Sequence, residues 1–335
     1  MSSTDERLSI YPPGGSWRTV FSASGLSDAT TRAKAWTFDA ASVFSAATAE
    51  AAARTLGVAG SATQSYGSWL VGSQDGTAPS VTLQPDGWAS LSYYDPTRDP
   101  YSCLKEADAV AGATGPTCAT QDPGPAPQGA DAAAQMRQLL ASLGIEATVE
   151  VETTAYDVPE EGAPRMTSVT AYQVLDGQRT GVTWSATLLG SGPQSFYGPM
   201  APLVDLGEYD VVSESTAVAR LNDPRFGASG GIMPLAAADT RGGAEVATSS
   251  DDPASTSVPA EPSDAPTVPA SLPAGSDIPW PVTQVTLTEA RLGLAVQWLP
   301  EGQVVLLPAY ELGDGEGGTW SVVAVADDGL NFAAE

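Results

Sequence analysis

Two cysteines and the absence of histidine limit the chemistry open to this 335-residue chain. Without histidine there is no imidazole base for neutral pH, no Ser-His or Cys-His dyad and no His ligand for a metal ion. Cys103 and Cys118 lie in a segment rich in Gly, Pro and Ala, without the C-x-x-C spacing of a metal or redox site. We therefore expect a disulfide between them, and with it a protein exported from the cytoplasm.

Other side chains with catalytic potential occur in incomplete patterns. Ser102 and Lys105 match the S-x-x-K spacing, but the companion motifs of that enzyme class are missing. Glu160 and Glu161 would need a partner carboxylate at a fixed distance for glycoside hydrolysis. One further acidic set lacks the spacing of a calcium loop and fits a polar hairpin turn: Asp314, Glu316, Asp327 and Asp328. We predict no enzyme, no metal ion and no cofactor, with a carboxylate-based hydrolase as an alternative.

Aromatic residues on and near the predicted strands, with Trp69 and Trp88 on the strands themselves, could serve in ligand binding. If Trp69 and Trp88 exposed their rings on one face of a sheet, they would form a platform for sugar rings or for a partner's side chains. Packing in the core is the alternative for the same residues. The candidate binding residues are Trp69, Trp88, Tyr93, Tyr94 and Tyr101.

The charge balance excludes several classes of partner. The chain has 40 acidic and 14 basic residues, a net charge of -26. Nucleic acid and anionic lipid both require clusters of Lys and Arg that this sequence lacks, so we predict neither as a partner. No stretch approaches the roughly 18 apolar residues of a membrane span, and residues 1–10 are polar. The expected export then implies an ectodomain whose signal or membrane anchor is absent from this chain.

The predicted secondary structure that must position these residues consists of a helix followed by strands, and this arrangement occurs twice. Within 36–101, an Ala-rich helix over 46–56 precedes three short strands separated by Asp-Gly turns. A second helix over 131–143 has apolar residues at helical spacing, and strands follow between 145 and 189. Both helices end at a Leu-Gly pair that leads into a strand, which suggests an internal repeat.

Segments poor in large apolar residues separate these elements. Residues 1–35 read as a polar tether or arm, and 102–130 as the cysteine loop with a Pro/Gly connector. Residues 237–279 consist mainly of Ala, Ser, Thr, Pro and acidic residues, which is typical of a disordered insertion. This insertion separates a helix over 213–221 from a final sheet. The predicted domains are the arm, a first helix-plus-meander unit at 36–101, the connector, and a second α+β domain at 131–335.

The last part of the chain resembles PepSY-like units. Tyr209-Asp-Val-Val-Ser-Glu-Ser-Thr-Ala-Val-Ala-Arg-Leu221 is similar to their opening strand and helix, and Leu292 to Tyr310 to their closing strands. The same architecture occurs in YycH/YycI-type extracytoplasmic regulators of cell-envelope signalling, and the Ala-, Gly- and Arg-rich composition suggests a high-GC Gram-positive bacterium. The resemblance covers 166–330, and the long acidic insertion departs from it. It implies a membrane-tethered regulatory ectodomain without a catalytic set.

Together these observations predict an α+β protein with two lobes, each a helix packed on a curled antiparallel sheet, PepSY-like in architecture. The predicted function is non-enzymatic binding or regulation, outside the cytoplasm and anchored to the membrane, through contacts with a protein partner at the cell envelope. The first alternative is a glycan-binding module that uses the strand aromatics. The second is the carboxylate-based hydrolase, which requires two acids that converge in a deep cleft.

Overall fold

The computed structural model describes residues 19–99, 124–156, 165–226, 273–277 and 282–332. Within these ranges the α-helices are α1 (Ala40–Val43), α2 (Ala46–Thr55), α3 (Gly129–Ser142) and α4 (Glu214–Leu221). The strands are β1 (Thr19–Ala23), β2 (Thr31–Phe38), β3 (Thr63–Ser65), β4 (Ser68–Gly72), β5 (Ser80–Leu83), β6 (Ser90–Tyr94), β7 (Val149–Tyr156), β8 (Met166–Leu175), β9 (Gln178–Leu189), β10 (Gly192–Pro199), β11 (Leu203–Val211), β12 (Thr283–Leu287), β13 (Glu289–Trp298), β14 (Val304–Gly313) and β15 (Thr319–Val323).

The chain divides into two units. One comprises residues 1–20 and 238–285, and the other comprises 21–237 and 286–335. The described part of the first unit contains the start of β1 and most of β12, two strands that pair with each other. The second unit holds the remaining helices and strands.

The larger sheet of the second unit has eight antiparallel strands in the order β3-β4-β5-β6-β10-β9-β8-β7. Two meanders, β3 to β6 and β7 to β10, meet where β6 pairs with β10 and Phe196 lies opposite Tyr93. Asp176 and Gly177 join β8 to β9 with φ values of +50° and +78°. Positive φ at both positions is the requirement of a type I′ turn, which an Asp-Gly pair satisfies.

One face of this sheet, which we call the inner face, is covered by helices and by the second sheet. Helix α2 packs on β4 and β5, and α3 packs on β7 and β8. Because side chains alternate along a strand, every second residue enters the core. The core includes Ala49, Ala53, Met136 and Leu140 from the helices, Leu83, Leu91, Val169 and Phe196 from the large sheet, and Val304 and Leu306 from β14.

Local signals explain where the helices begin and end. The Ser45 side chain caps α2 by accepting a hydrogen bond from Thr48 N at 3.1 Å, and α2 stops before Gly57, whose φ is +75°. Helix α4 begins in the same way after Ser213. The predicted helices at 46–56, 131–143 and 213–221 are therefore present, with ends that differ by one or two residues.

The second sheet has the strand order β11-β2-β14-β13. The first half of β14 pairs with β2, and its second half pairs with β15. Just after β15, Val325 forms a bridge with Val211 of β11. The strands β11, β2, β14 and β15 thus close into a ring, while Val304 and Leu306 of β14 pack on the eight-stranded sheet.

The predicted fold class, two α+β lobes with one helix on each curled sheet, is wrong. Strands make up 47% and helices 18% of the structure, which is a β-rich sandwich. Strands from the two predicted lobes share one sheet, because β6 pairs with β10. Pairing between strands that are far apart in the chain leaves no pattern in the local sequence. The sequence therefore predicted individual strands but not which strands pair.

Several predicted segments lie wholly or mainly outside the described residues. They are residues 1–18 of the arm, the loop with Cys103 and Cys118, and the insertion at 237–279 apart from 273–277. The predicted domain boundaries and the disulfide therefore stay predictions. None of the helices in the described ranges combines the length and the apolar character needed to cross a bilayer.

Candidate functional site

The structure separates the aromatic residues that were predicted to bind a ligand. Trp69 lies opposite Leu83, a fully buried residue, so its half-buried ring is on the inner face of the eight-stranded sheet. Tyr93 is buried on the same face, and this burial raises the pKa of its phenol. Tyr94 is exposed on the opposite face, and Tyr101 lies outside the described residues. These residues do not share one surface.

Trp88 does meet other aromatic rings. It precedes β6, and its ring forms edge-to-face contacts with Phe38 and Trp298 at centroid distances of 5.8 Å and 4.9 Å. Edge-to-face contact is a favoured arrangement of aromatic rings. The cluster connects the β5–β6 turn of the large sheet to the β13–β14 hairpin of the second sheet.

A glycine beside Trp88 permits this connection. A β carbon at Gly87 would lie 2.0 Å from Gly302 O and 2.8 Å from Val304 Cγ2. Any other residue would force the two turns apart, because the contact is with backbone that cannot move aside. Gly87 therefore allows the two turns to approach closely enough for Trp88 to meet Trp298.

Trp298 was assigned to a closing strand and was missed as a binding residue. It is the last residue of β13 and 53% exposed, and Leu299 beside it is also exposed. The hairpin is closed by hydrogen bonds from Leu299 N to Gln303 O and from Gly302 N to Leu299 O, both 2.9 Å. The signal was present in the sequence: a Trp-Leu pair directly before Pro-Glu-Gly places two large apolar residues at a turn, where no core can receive them.

An apolar groove lies beside this hairpin, on the face of the second sheet that points away from the large sheet. We call it the hairpin groove; its volume is about 610 Å³. Its lining includes Val305, Leu307 and Val323 on the strands, and Leu299, Phe226 and Phe332 along the walls. The rings of Phe226 and Phe332 meet edge to face at 5.8 Å.

Two arginines hold the wall that contains Phe226. Arg220 is buried and donates a hydrogen bond to Val323 O at 2.9 Å, and its Cζ lies 4.3 Å from the centre of the Phe226 ring. Burial lowers the pKa of Arg220. Arg225 lies over the Phe332 ring at 4.9 Å. Arg220 is engaged inside the protein, whereas Arg225 is half exposed at the groove and forms ion pairs with Asp223 and Asp327.

A smaller pocket, which we call the acidic pocket, lies on the other side of the hairpin with a volume of about 420 Å³. Trp298 lines it together with the carboxylates of Asp39, Asp86 and Glu301, and no described residue of its lining is Lys or Arg. Asp86 accepts a hydrogen bond from Ser90 N at 2.8 Å but retains further acceptor sites. An aromatic face beside carboxylates suits a positively charged side chain.

Of the acidic residues considered for metal binding, Asp314 and Asp327 have structural partners, and Glu316 and Asp328 are exposed. Asp314 accepts hydrogen bonds from the backbone N–H groups of Glu316 and Gly318, as a turn residue does. Asp327 forms ion pairs with Arg220 and Arg225. Within the described ranges, no three Cys, Asp or Glu side chains are grouped to hold a metal ion. Four of the candidate catalytic residues lie outside the described ranges: Ser102, Lys105, Glu160 and Glu161.

Comparison with known proteins adds little to this description. No protein-family model and no curated protein matches the chain. Nine chains among the solved structures match, and one of them is an uncharacterized protein from Eubacterium rectale. It is 10% identical, the match covers 93% of this chain and 89% of that one, and the TM-score is 0.41. The resemblance to PepSY-like and YycH/YycI-type proteins stays a prediction.

Proposed function

We propose that this protein is a non-enzymatic binding protein of the cell envelope, which contacts a protein partner through the hairpin groove and Trp298. The supporting observation is that large exposed apolar side chains are concentrated there: Trp298 and Leu299 on the hairpin and Phe332 on the groove wall. Exposed apolar patches mark interaction sites, and Trp is among the residues that contribute most to binding energy.

The charge of the protein defines the chemistry of the partner. A chain with a net charge of -26 attracts basic segments and repels acidic ones. The acidic pocket adds local carboxylates directly beside Trp298. The proposed partner therefore presents a basic polypeptide segment, whose apolar side chains enter the hairpin groove while a Lys or Arg reaches the acidic pocket. Location outside the cytoplasm is part of the same proposal and rests on the cysteine pair.

Selection of a displayed random peptide library on the immobilised full-length chain tests this function. We expect enriched peptides in which Lys or Arg is adjacent to apolar residues. Their affinity should fall about tenfold or more for Trp298→Ala and for Leu299→Asp, because each change removes apolar contact. The matched control is Tyr66→Asn, which alters an exposed aromatic residue in the β3–β4 turn; Asn tolerates the positive φ of that position.

Three results would overturn the proposal. The first is a library without enriched peptides. The second is enrichment of acidic peptides, which contradicts the charge argument. The third is a set of peptides that bind both hairpin variants as tightly as the unchanged protein. Loss of binding in the Tyr66→Asn control as well would indicate non-specific adhesion and count against the groove.

A further inference from the structure

The outer face of the eight-stranded sheet is rich in side chains with hydroxyl groups. In the described structure, helices α2 and α3 and strand β14 pack on the inner face. The residues that alternate with the core residues therefore point to the other side, where Tyr94, Ser185 and Tyr197 are exposed. Most of these outer residues are Ser, Thr or Tyr, and we call this surface the hydroxyl face.

Strand register arranges the hydroxyl groups in two rows that run across the strands. The first row is Thr154, Ser168, Thr187, Ser195, Tyr94 and Ser80, on β7, β8, β9, β10, β6 and β5. The second row is Thr170, Ser185, Tyr197, Ser92 and Thr82, on β8, β9, β10, β6 and β5. On β7 this row ends at Glu152, which lies opposite Thr170. Adjacent strands are about 4.8 Å apart, so each row offers a hydroxyl group at about that interval.

Apart from Glu152 at the β7 end of the second row, no position in either row is charged, although the chain as a whole has a net charge of -26. Glu152 and Glu150, both on this face of β7, form ion pairs with Arg179. Ser, Thr and Tyr are common on the solvated face of an antiparallel sheet, so the residue types alone prove nothing. The second sheet provides the comparison within the same protein. There, exposed Arg32 pairs with Glu208 and Asp210, and Lys34 pairs with Asp205. The row positions on β5, β6, β10, β9 and β8 thus lack the paired charges that occur on β2 and β11 and at the β7 edge.

Three tyrosines on the hydroxyl face are exposed: Tyr94 is 42% exposed, Tyr156 38% and Tyr197 47%. The Tyr156 hydroxyl lies 3.5 Å from Thr187 Oγ1, two strands away, so its ring extends over β8. The Tyr94 hydroxyl donates a hydrogen bond to Asp99 Oδ2 at 2.9 Å. Contacts at the hydroxyl ends hold these rings along the sheet, where they present apolar faces to a ligand.

We infer that the hydroxyl face binds a neutral polysaccharide, whose chain lies across the strands along the two hydroxyl rows. Each Ser or Thr hydroxyl donates one hydrogen bond and accepts two, as sugar hydroxyls do. The apolar side of a sugar ring packs on an exposed aromatic face. An anionic polymer is disfavoured because the whole protein repels it and no cation on either row receives it.

This inference concerns a different surface from the hairpin groove and does not depend on it. It also differs from the predicted glycan site, because Trp69 is on the inner face and Trp88 packs against Phe38 and Trp298. Of the residues first considered for binding, only Tyr94 is on the hydroxyl face. Tyr156 and Tyr197 complete the set.

Affinity electrophoresis in native gels tests the inference with the full chain. The gels contain hydroxyethyl cellulose, glucomannan or dextran as neutral polymers, and polygalacturonate as the anionic one. We expect at least one neutral polymer to retard the protein and polygalacturonate not to do so. The triple variant Tyr94→Ala/Tyr156→Ala/Tyr197→Ala should weaken retardation about tenfold. Ser185→Glu, which places one carboxylate in the second row, should do the same without removing any ring.

The controls separate binding from folding and from the hairpin groove. Both variants should keep the circular dichroism spectrum of the unchanged protein, since all four residues are at least partly exposed, and Trp298→Ala should keep full retardation. Absence of retardation by every neutral polymer would overturn the inference, as would unchanged retardation of folded Ser185→Glu. A third contrary result is a dimer in sedimentation that Ser185→Glu converts to a monomer, because a second copy of the chain would then cover this face.

Discussion

Hydrogen bonds from two hydroxyl groups control the charge of Asp75 in the loop between β4 and β5. The carboxylate accepts hydrogen bonds from the hydroxyls of Ser73 and Thr77 and from Thr77 N, the last at 3.0 Å. These bonds favour the ionised form and lower the pKa of Asp75 from 3.8 to about 2. A fully exposed carboxylate thus titrates well below its usual range without any cation nearby.

We predict that Asp75 in the folded protein stays ionised until the pH falls to about 2. Because its pKa is lower in the folded than in the unfolded chain, the ionised group stabilises the fold above pH 3.8, and this contribution is lost as the pH falls through about 2. The side-chain carboxyl ¹³C shift, followed by NMR against pH, measures this directly. Thr77→Val should raise the midpoint towards 3.8, and a midpoint already at that value in the unchanged protein would contradict the argument.

At the scale of elements, the helices depend on contacts that are local in sequence. The Ser45 side chain satisfies the free N–H of Thr48 at the start of α2, whose interior is mostly Ala. Such caps contribute to helix stability independently of the packing of the helix. Because α2 carries Ala49, Ala52 and Ala53 into the core, its first turn also affects how well the inner face is covered.

Replacing Ser45 with Ala should lower the free energy of unfolding by about 1 kcal/mol, and Ser45→Asp should retain most of it because Asp is also a good cap. Urea denaturation followed by far-UV circular dichroism measures both variants. Equal losses in the Ala and Asp variants would show that Ser45 acts through packing and not through the cap.

The same distinction between local and distant contacts explains what the sequence could predict. The helices ending near Gly57 and Gly144 were found because caps and glycines are adjacent to the segment they limit. The alternation Leu91-Ser92-Tyr93-Tyr94 also separates core from surface within one strand. The rows of the hydroxyl face depend on register between strands, and so does the meeting of Trp88 with Trp298. The sequence of a single strand therefore predicts which of its residues face the core and which face solvent. It does not predict a surface that several paired strands form together.

At the scale of the whole molecule, the pairing of β6 with β10 makes one sheet out of two meanders. Phe196 is at this junction, opposite Tyr93 and almost fully buried, while Tyr197 beside it points to the hydroxyl face. The junction also carries the continuous core that includes residues of α2, α3 and β14. We therefore expect both meanders to lose their structure together.

Phe196→Ala should lower the free energy of unfolding by about 3–5 kcal/mol, because it leaves a cavity at the junction. Tyr197→Ala, its matched control on the exposed side, should cost less than about 1 kcal/mol. Guanidinium denaturation should show coincident transitions by tryptophan fluorescence and by circular dichroism. Two separate transitions, or equal costs for the two variants, would mean that the meanders unfold independently.

The predicted disulfide is tested on the intact chain. If Cys103 and Cys118 are bonded, alkylation of the native protein should leave its mass unchanged, and reduction followed by alkylation should add two labels. The two cysteines form the only possible pair in the chain. Two labels on the protein without reduction would show that the disulfide is absent. The support for a location outside the cytoplasm would then be lost.

The contact between Trp88 and Trp298 gives this protein an optical property of its own. Two indole rings whose centres are 4.9 Å apart, with planes inclined at 77°, are close enough for their excited states to couple. Such coupling produces a pair of circular dichroism bands of opposite sign, whose amplitude depends on the distance and angle between the rings. One ring belongs to each sheet of the sandwich, so this signal reports the alignment of the two sheets. A change in the orientation of one sheet relative to the other can thus be followed by circular dichroism of the unlabelled protein.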